Sequence, residues 1–428
     1  MPDLAYVVVP SVYNSLTEEE AREMTKPVVG EIMTLLTDST TPALDQDEAE
    51  VDRVWRSERL IDYSGDFDAA MRSFNQTFLD RDWGDGYPLW PPTPEGVEEL
   101  MAGVDGAPDD YVCTLPPGEG RATVELVATN AAMAGCRPEE MPVIMAALRA
   151  IANHDRVMRL VVTTSTSTHA PMVFVNGPVA QQLGINGGQS CIGPGRQNRV
   201  NLRIGRAVLL CMKNIARWYP GVLDMDTMGT LRKNVVVIAE NEAESPWEPY
   251  HVSEGFEAGE STVTVVWTVG EWDITMQGHK DAEQLADAIG SMVANYHGYM
   301  DKMKHLDEGV PYPVGRLLLL APPHAQPLAE GGFTKRDLEQ RLFDVGHVPV
   351  KKLRDPCWKM YEDGKIREQY NWVFEMSEEE AIQQTLPVIE APEMYKVVVA
   401  GSVRAKNLFF PTRGFPVTEK VTPTPSGK

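Results

Sequence analysis

Cysteine is scarce in this chain, and long hydrophobic runs are missing from it. The five cysteines are odd in number, widely spaced and without a CxxC pair: Cys113, Cys136, Cys191, Cys211 and Cys357. This pattern argues against a disulfide framework and against a structural zinc knuckle. No apolar run approaches the roughly 18 to 20 residues that span a bilayer, and the N-terminal MPDLAYVVVPS lacks the basic segment of a signal peptide. We therefore expect a cytoplasmic protein with reduced thiols.

Basic residues are also in short supply. The 428 residues include 39 Lys and Arg against 62 Asp and Glu, which gives a formal net charge of −23. Nucleic-acid binding needs basic surface that displaces counterions, so a nucleic-acid partner is disfavoured, and so is an anionic membrane surface. A small anionic substrate would need a local positive site that acts against this global field.

Strand-like and helix-like segments alternate from about residue 110 to about residue 325. The β-branched and aliphatic runs VMRLVVTTST, PMVFVNG, NVVVIAE, STVTVVWTV and GRLLLLAPP predict buried strands, and patterns with helical spacing lie between them. Short apolar strands separated by helices favour the α/β class. We expect a mainly parallel or mixed sheet flanked by helices, with a helical N-terminal region.

Composition divides the chain into four segments. Residues 1–80 predict a helical, acidic N-terminal region, and residues 81–330 predict an α/β core that contains a Gly-rich loop. Residues 331–410 predict a C-terminal α/β extension, and the Pro- and Thr-rich residues 411–428 predict an extended or disordered tail.

The stretch NGGQSCIGPGRQN, residues 186–198, is a Gly- and Pro-rich turn that leads into a helical pattern. Such a loop exposes backbone N–H groups and the positive end of a helix dipole, so it can cradle a carboxylate, a phosphate or an oxyanion. The loop residues expected to bind substrate are Asn186, Gly187, Gly188, Gln189, Ser190, Gly193, Gly195, Arg196 and Asn198. The spacing matches neither GxGxxG nor GxxxxGK[ST], so neither NAD nor ATP is expected.

One thiol, Cys191, lies inside this loop, four residues before Gly195. Four arginines follow it: Arg196, Arg199, Arg203 and Arg206. A helix N-terminus and nearby arginines lower the pKa of a thiol, so Cys191 is a candidate nucleophile or redox thiol. The alternative is a small residue packed in a tight loop.

Polar residues follow several predicted strands, where an open parallel sheet binds its ligands. His169 follows a hydroxyl-rich run and is a candidate general base. Glu240 and Glu242 are candidate acid/base carboxylates, and His251 is a catalytic candidate alongside them.

Two more residues in such positions, Asn176 and His324, are expected to bind substrate. One alternative is that all these residues are ordinary polar loop residues. Another is that glutamates and histidines of this set bind a divalent metal, although no HExxH or similar spacing accompanies them.

Several long phrases of the sequence occur together in a known family. They are RDWGDGYPLWPPTPEGVEELM, PPGEGRATVELVATNAAMAGCRPEEMPVIMAA, FVNGPVAQQLGINGGQSCIGPGRQNRVNLRIGRAVLL and AENEAESPWEPYHVSEGF. Through them the chain resembles bacterial proteins that are fused to, or found beside, UGSC-motif (seleno)proteins. The resemblance covers about residues 80 to 330, and more weakly the units up to about 405. It implies reductive cleavage of a small substrate with a reactive thiol or selenol. The chain has no UGSC or CGSC segment, so such a redox partner would be a separate protein or absent.

These observations predict an enzyme that acts on a small, anionic organic molecule by a lyase- or hydrolase-like step. No cofactor is predicted. One alternative is a metal-assisted enzyme that uses Glu240, Glu242, His251 and His169. The other is a non-catalytic, substrate-binding subunit of a thiol- or selenol-dependent system. The size of the chain and its nine tryptophans make a homo-oligomer an expectation.

Overall fold

The computed structural model describes residues 18–37, 65–275, 281–294, 303 and 314–422. The chain divides into two units, Met1–Ala70 and Met71–Lys428. Helix α1 (Glu18–Thr37) lies in the first unit, and α2 (Phe67–Asp80) crosses the boundary. The predicted helical N-terminal region is therefore confirmed for these two helices, and the other residues before 65 lie outside the described part.

The described residues form eleven strands. They are β1 (Tyr111–Leu115), β2 (Gly120–Thr123), β3 (Ala170–Asn176), β4 (Val236–Ala239), β5 (Thr262–Thr268), β6 (Trp272–Thr275), β7 (Val314–Leu320), β8 (His347–Pro349), β9 (Thr385–Pro387), β10 (Tyr395–Val399) and β11 (Lys406–Lys420).

Helices lie between and around these strands. They are α3 (Pro94–Met101), α4 (Val124–Met133), α5 (Met141–Ala152), α6 (Arg156–Thr164), α7 (Pro178–Leu183), α8 (Arg199–Asn214), α9 (Tyr250–Ser253), α10 (Ala282–Val293), α11 (Pro322–Glu330), α12 (Lys335–Val345), α13 (Val350–Arg354), α14 (Trp358–Glu362), α15 (Trp372–Glu375) and α16 (Glu378–Gln383). Among the described helices, none is long and apolar enough to cross a membrane.

A seven-stranded mixed sheet organises the second unit. Its strand order is β10-β7-β11-β5-β3-β4, and β6 pairs with β11 beside this path. Strands β10, β7 and β5 run one way, whereas β11, β3 and β4 run the other way. The predicted α/β class, with a mixed sheet flanked by helices, is confirmed.

The long strand β11 gives the sheet its curl. Its first half pairs with β7 through Leu408–Arg413, and its second half pairs with β5 up to Lys420. Between the halves the register shifts, at a stretch that contains Gly414 with φ +69° and Pro416. An irregularity of this kind bends a strand and increases its twist. Residues 411–420, predicted as an extended or disordered tail, thus form a central part of the sheet.

The two edges of the strand order come together at one point of the curled sheet. The backbone N–H of Asn241, just after β4, donates to the carbonyl of Val399 in β10 at 2.8 Å. Nearby, the N–H of Gly401 donates to the carbonyl of Gly187 at 2.8 Å. The Gly-rich loop is therefore held where the carboxyl ends of β4 and β10 meet.

An apolar core lies on one face of the curled sheet. It contains residues of six strands and three residues outside them, from a loop, a short helix and the end of β10: Met172, Phe174, Ile238, Val266, Leu317, Leu319, Val398, Phe410, Cys191, Tyr250 and Ala400. Helices α10 and α12 bury their apolar faces against the other side of β7 and β10. Helix α5 packs on β5, and α8 packs on β4.

One predicted strand is wrong. The run VMRLVVTTST, residues 157–166, forms most of α6, which ends at Thr164. Asp155 caps the helix, because its Oδ1 accepts hydrogen bonds from the N–H groups of Val157 and Met158 at 3.0 and 3.1 Å. The cap and the buried pair Met158 and Val162, four residues apart, outweigh the strand preference of the β-branched residues.

We expect Gly205→Ala to destabilise the protein, because α8 approaches the chain before β4 closely at this residue. A Cβ atom on Gly205 would lie 2.1 Å from the carbonyl oxygen of Val235. Overpacking of this kind lowers the free energy of unfolding by about 1–3 kcal/mol, measured by urea denaturation. Gly259→Ala is the control, since a Cβ there meets nothing within 4 Å. Equal urea midpoints for the two variants would contradict the close packing.

Candidate active site

The candidate site lies where the neighbouring parallel strands β3 and β4 end. Residues two apart on a strand share a face of the sheet. Asn176 therefore continues the inward-facing series of Met172 and Phe174, and Glu240 continues that of Ile238. Two polar side chains thus stand at the end of an apolar core.

Glu240 is a fully buried carboxylate with a hydrogen-bond donor on each oxygen. Its Oε1 accepts from Lys335 Nζ at 2.8 Å. Its Oε2 accepts from Asn176 Nδ2 and from the backbone N–H of Tyr250, both at 2.6 Å. A buried carboxylate needs a countercharge and hydrogen bonds to offset its desolvation, and these three donors supply both.

Glu242 lies beside this buried group, and its side chain is 24% exposed. Its Oε1 accepts from Asn176 Nδ2 at 2.9 Å and from the backbone N–H of Gly177 at 2.8 Å. The Asn176 amide therefore bridges two carboxylates, which fixes its orientation because only the NH₂ group can donate to them. Gly177 has φ +82°, and a Cβ there would lie 2.1 Å from the Glu260 carbonyl oxygen, so glycine is required.

His251 is the fourth side chain near Asn176, Glu240 and Glu242. Its side chain is fully buried, and Nδ1 lies 4.0 Å from Oε1 of Glu242. Neither ring nitrogen has a hydrogen-bond partner among the described residues. Buried ring nitrogens are usually paired, and the 4.0 Å separation from Glu242 is too long for a hydrogen bond, so both nitrogens of His251 depart from this rule.

A cleft of about 180 Å³ opens in front of Glu242. Its walls come from β4 and the residues after it, from α7, and from the start of the Gly-rich loop. The lining residues are Gly177, Ala180, Gln181, Gly184, Ile185, Gly187, Gly188, Ala239, Glu240, Asn241, Glu242 and Ala243. Gly187 packs directly on the end of β4, since a Cβ there would lie 2.3 Å from the Ala239 carbonyl oxygen.

Three asparagine side chains hold the Gly-rich loop in place. Asn198 Nδ2 donates to the carbonyls of Ser190 and Gly193 at 2.7 and 2.8 Å, and its Oδ1 accepts from Asn186 Nδ2 at 2.7 Å. Asn201 Oδ1 accepts from the backbone N–H of Asn186 at 2.9 Å. Asn186 and Asn198, predicted to bind substrate, thus shape the loop.

Of the other residues of the Gly-rich loop that were predicted to bind substrate, some line the cleft and the others lie outside it. Gly187 and Gly188 line the cleft. The other loop residues predicted to bind substrate lie outside its lining, and most of them are exposed: Gln189, Ser190, Gly193, Gly195 and Arg196.

The prediction that the Cys191 thiol has a lowered pKa is wrong. The side chain points into the inner core and is 8% exposed. Burial raises the pKa of the Cys191 thiol, and the backbone N–H groups of Cys191, Gly401 and Ile192 oppose this rise only in part. Removal of water from the thiolate outweighs these local dipoles, so the packed-residue interpretation fits the structure.

The arginines expected to charge the loop are engaged elsewhere or exposed. Arg203 forms an ion pair with the buried Glu140, and Arg206 forms one with Asp85 at 2.6 Å. Arg196 and Arg199 are exposed. Two of the four arginines are therefore neutralised by ion pairs, and none of the four lines the cleft.

His169 and His324 do not line the cleft with the other candidates. His169 precedes β3 whereas Asn176 ends it, which separates them by roughly 20 Å at about 3.3 Å per residue. Its expected position after a strand is wrong because the preceding run is α6. His324 is buried in α11, and its Nδ1 lies 2.9 Å from Asn407 Nδ2.

Sequence reasoning missed Lys335, which follows β4 by nearly a hundred residues. One signal was present: Lys335 begins α12 directly after the capping residue Thr334, where the helix dipole disfavours a cation. Its position is explained by the buried carboxylate of Glu240.

For a metal, the structure offers a limited donor set. Glu242 and His251 could supply one oxygen and one nitrogen, whereas both oxygens of Glu240 already accept hydrogen bonds. No group of three or more His, Cys, Asp or Glu in the described part of the chain is arranged to hold a metal ion.

Comparison with protein-family models and with curated proteins gave no match for this chain.

We expect Lys335→Met to lower the free energy of unfolding by about 3–5 kcal/mol, because it leaves Glu240 buried without its countercharge. Arg336→Met, at the next and exposed position of α12, is the matched control and should change stability by less than about 0.5 kcal/mol. Urea denaturation measures both. A loss below about 1 kcal/mol for Lys335→Met would show that the pair is dispensable.

Iodoacetamide labelling should find Cys191 protected in the folded protein. We expect labelling at least about tenfold slower than in the urea-unfolded chain, with a midpoint above the ordinary thiol pKa of about 8.5. Peptide mass spectrometry over pH 6–10 separates Cys191 from the other thiols. A midpoint below about 8.5 would restore the activated-thiol hypothesis.

Proposed function

We propose that this chain is an enzyme that binds a small polar organic molecule in the cleft and transfers a proton through Glu242. The observation that carries the proposal is the placement of one carboxylate. Glu242 lies in the wall of a cleft of about 180 Å³, and its Oε1 is anchored by Asn176 and Gly177.

The anchoring leaves the other oxygen of Glu242 for a substrate. Oε2 makes no hydrogen bond to any residue that the structure describes, and the side chain is partly exposed. A general base must lie within hydrogen-bond reach of the proton that it removes, and it gains from being held in one orientation. Glu242 meets both conditions for a molecule seated in the cleft.

His251 lies beside this carboxylate, outside hydrogen-bond distance. It is fully buried, and its Nδ1 lies 4.0 Å from the anchored oxygen of Glu242. Glu240 serves a different purpose, because its oxygens are saturated by Lys335, Asn176 and Tyr250. It positions Asn176, which in turn positions Glu242.

Proton transfer of this kind belongs to lyase- or hydrolase-like chemistry, which is the class that we favour. The Cys191 thiol takes no part in the proposed step, because it is packed in the core. Metal assistance, a separate thiol or selenol partner and self-association stay predictions of the sequence.

The test compares Glu242→Gln with Glu248→Gln, an exposed carboxylate six residues away. Small amines, alcohols, amides and acids are incubated with the protein in D₂O, and NMR follows their conversion and deuterium uptake at carbon. We expect Glu242→Gln to slow the reaction by at least about 100-fold, the usual contribution of a general base, and Glu248→Gln to leave it unchanged. Retained activity within about threefold in Glu242→Gln would overturn the role of Glu242.

A further inference from the structure

The charged residues that line the cleft are all acidic. The lining residues in the described part of the chain include Glu240 and Glu242 and contain neither Lys nor Arg. Lys335 neutralises Glu240, which leaves Glu242 as the uncompensated charge. The whole chain carries a net charge of −23, which reinforces a negative potential there.

Several lining residues of the cleft are apolar. They are Ala180, Ile185, Ala239 and Ala243, and glycines are among the others. A volume of about 180 Å³ is below the roughly 300–1,000 Å³ of most pockets that hold drug-sized ligands. The space therefore suits a short molecule with one polar end and one alkyl portion.

Two polar groups next to the cleft are left without partners. His251 is fully buried, and both of its ring nitrogens lack partners among the residues that the structure describes. Asn176 Oδ1 is likewise buried and unpartnered there. Neither residue belongs to the cleft lining, so Glu242 is the group that meets a ligand in the cleft.

We propose that the cleft takes a small protonated alkylamine, with its ammonium group on Glu242 Oε2 and its alkyl portion against Ala180, Ile185 and Ala239. This inference rests on the proposed function and replaces the anionic substrate expected from the sequence. Of the four arginines on which an anion would have depended, Arg203 and Arg206 are paired with Glu140 and Asp85. The other two, Arg196 and Arg199, lie outside the cleft lining. The ammonium supplies the countercharge that Glu242 lacks.

The experiment uses three probes of equal length that differ in charge: butylammonium, butanol and butyrate. Ligand-observed NMR titrations of the full chain measure their dissociation constants. We expect butylammonium to bind at least about tenfold more tightly than butanol, because a charge-assisted hydrogen bond replaces a neutral one, and butyrate to bind most weakly. In Glu242→Gln the preference for butylammonium should disappear, whereas Glu248→Gln should keep it.

Substitutions at Gln181 test the preference for butylammonium in a second way, which matters if Glu242→Gln folds poorly. Gln181 is exposed and lines the cleft, so its substitution does not disturb the core. Gln181→Lys should weaken butylammonium binding, and Gln181→Glu should strengthen it. Butyrate binding as tight as butylammonium, or no response to either Gln181 variant, would overturn the amine proposal. The proposal that Glu242 transfers a proton would still hold if an acid or an alcohol took up deuterium with the unmodified protein and not with Glu242→Gln.

Discussion

The buried carboxylate of Glu240 is the constraint around which this end of the molecule is organised. A charge at the end of an apolar core is strongly destabilising unless it is paired and hydrogen-bonded. Its donors come from β3, from the start of α9 and from the start of α12. The hydrogen bonds to Glu240 therefore hold three elements in place relative to β4. The Asn176 amide also donates to Glu242, which holds that side chain in position.

The curl of the sheet brings that group to an accessible edge. An ordinary open sheet would keep β4 and β10 far apart, but here their carboxyl ends meet through Asn241 and Val399. Gly187 fits between them because it has no Cβ. The cleft is thus a product of sheet curvature and glycine packing, and its charged wall is a product of the buried ion pair.

Sequence patterns were sufficient for the fold class, for the strands β3, β4, β5 and β7, and for the placement of Asn176, Glu240 and Glu242 at or after the ends of strands. They were insufficient wherever the outcome depended on burial or on distant residues. The thiol of Cys191 lies near a helix start, but its pKa is set by the core around it, which a local pattern does not reveal. His169 was misplaced because a cap at Asp155 decided between helix and strand. Lys335 could be assigned to Glu240 only when the tertiary structure brought α12 to β4.

The place of β11 in the sheet has a consequence for how the chain reaches its native state. This strand follows every other described strand along the chain, yet it lies between β7 and β5 at the centre of the sheet. Until residues 406–420 have left the ribosome, β5 and β7 each present an edge with unpaired backbone groups. Such edges recruit other strands, so nascent chains are exposed to aggregation over this interval. The sheet is completed only by insertion of β11, so its core assembles after all the other described strands have been synthesised.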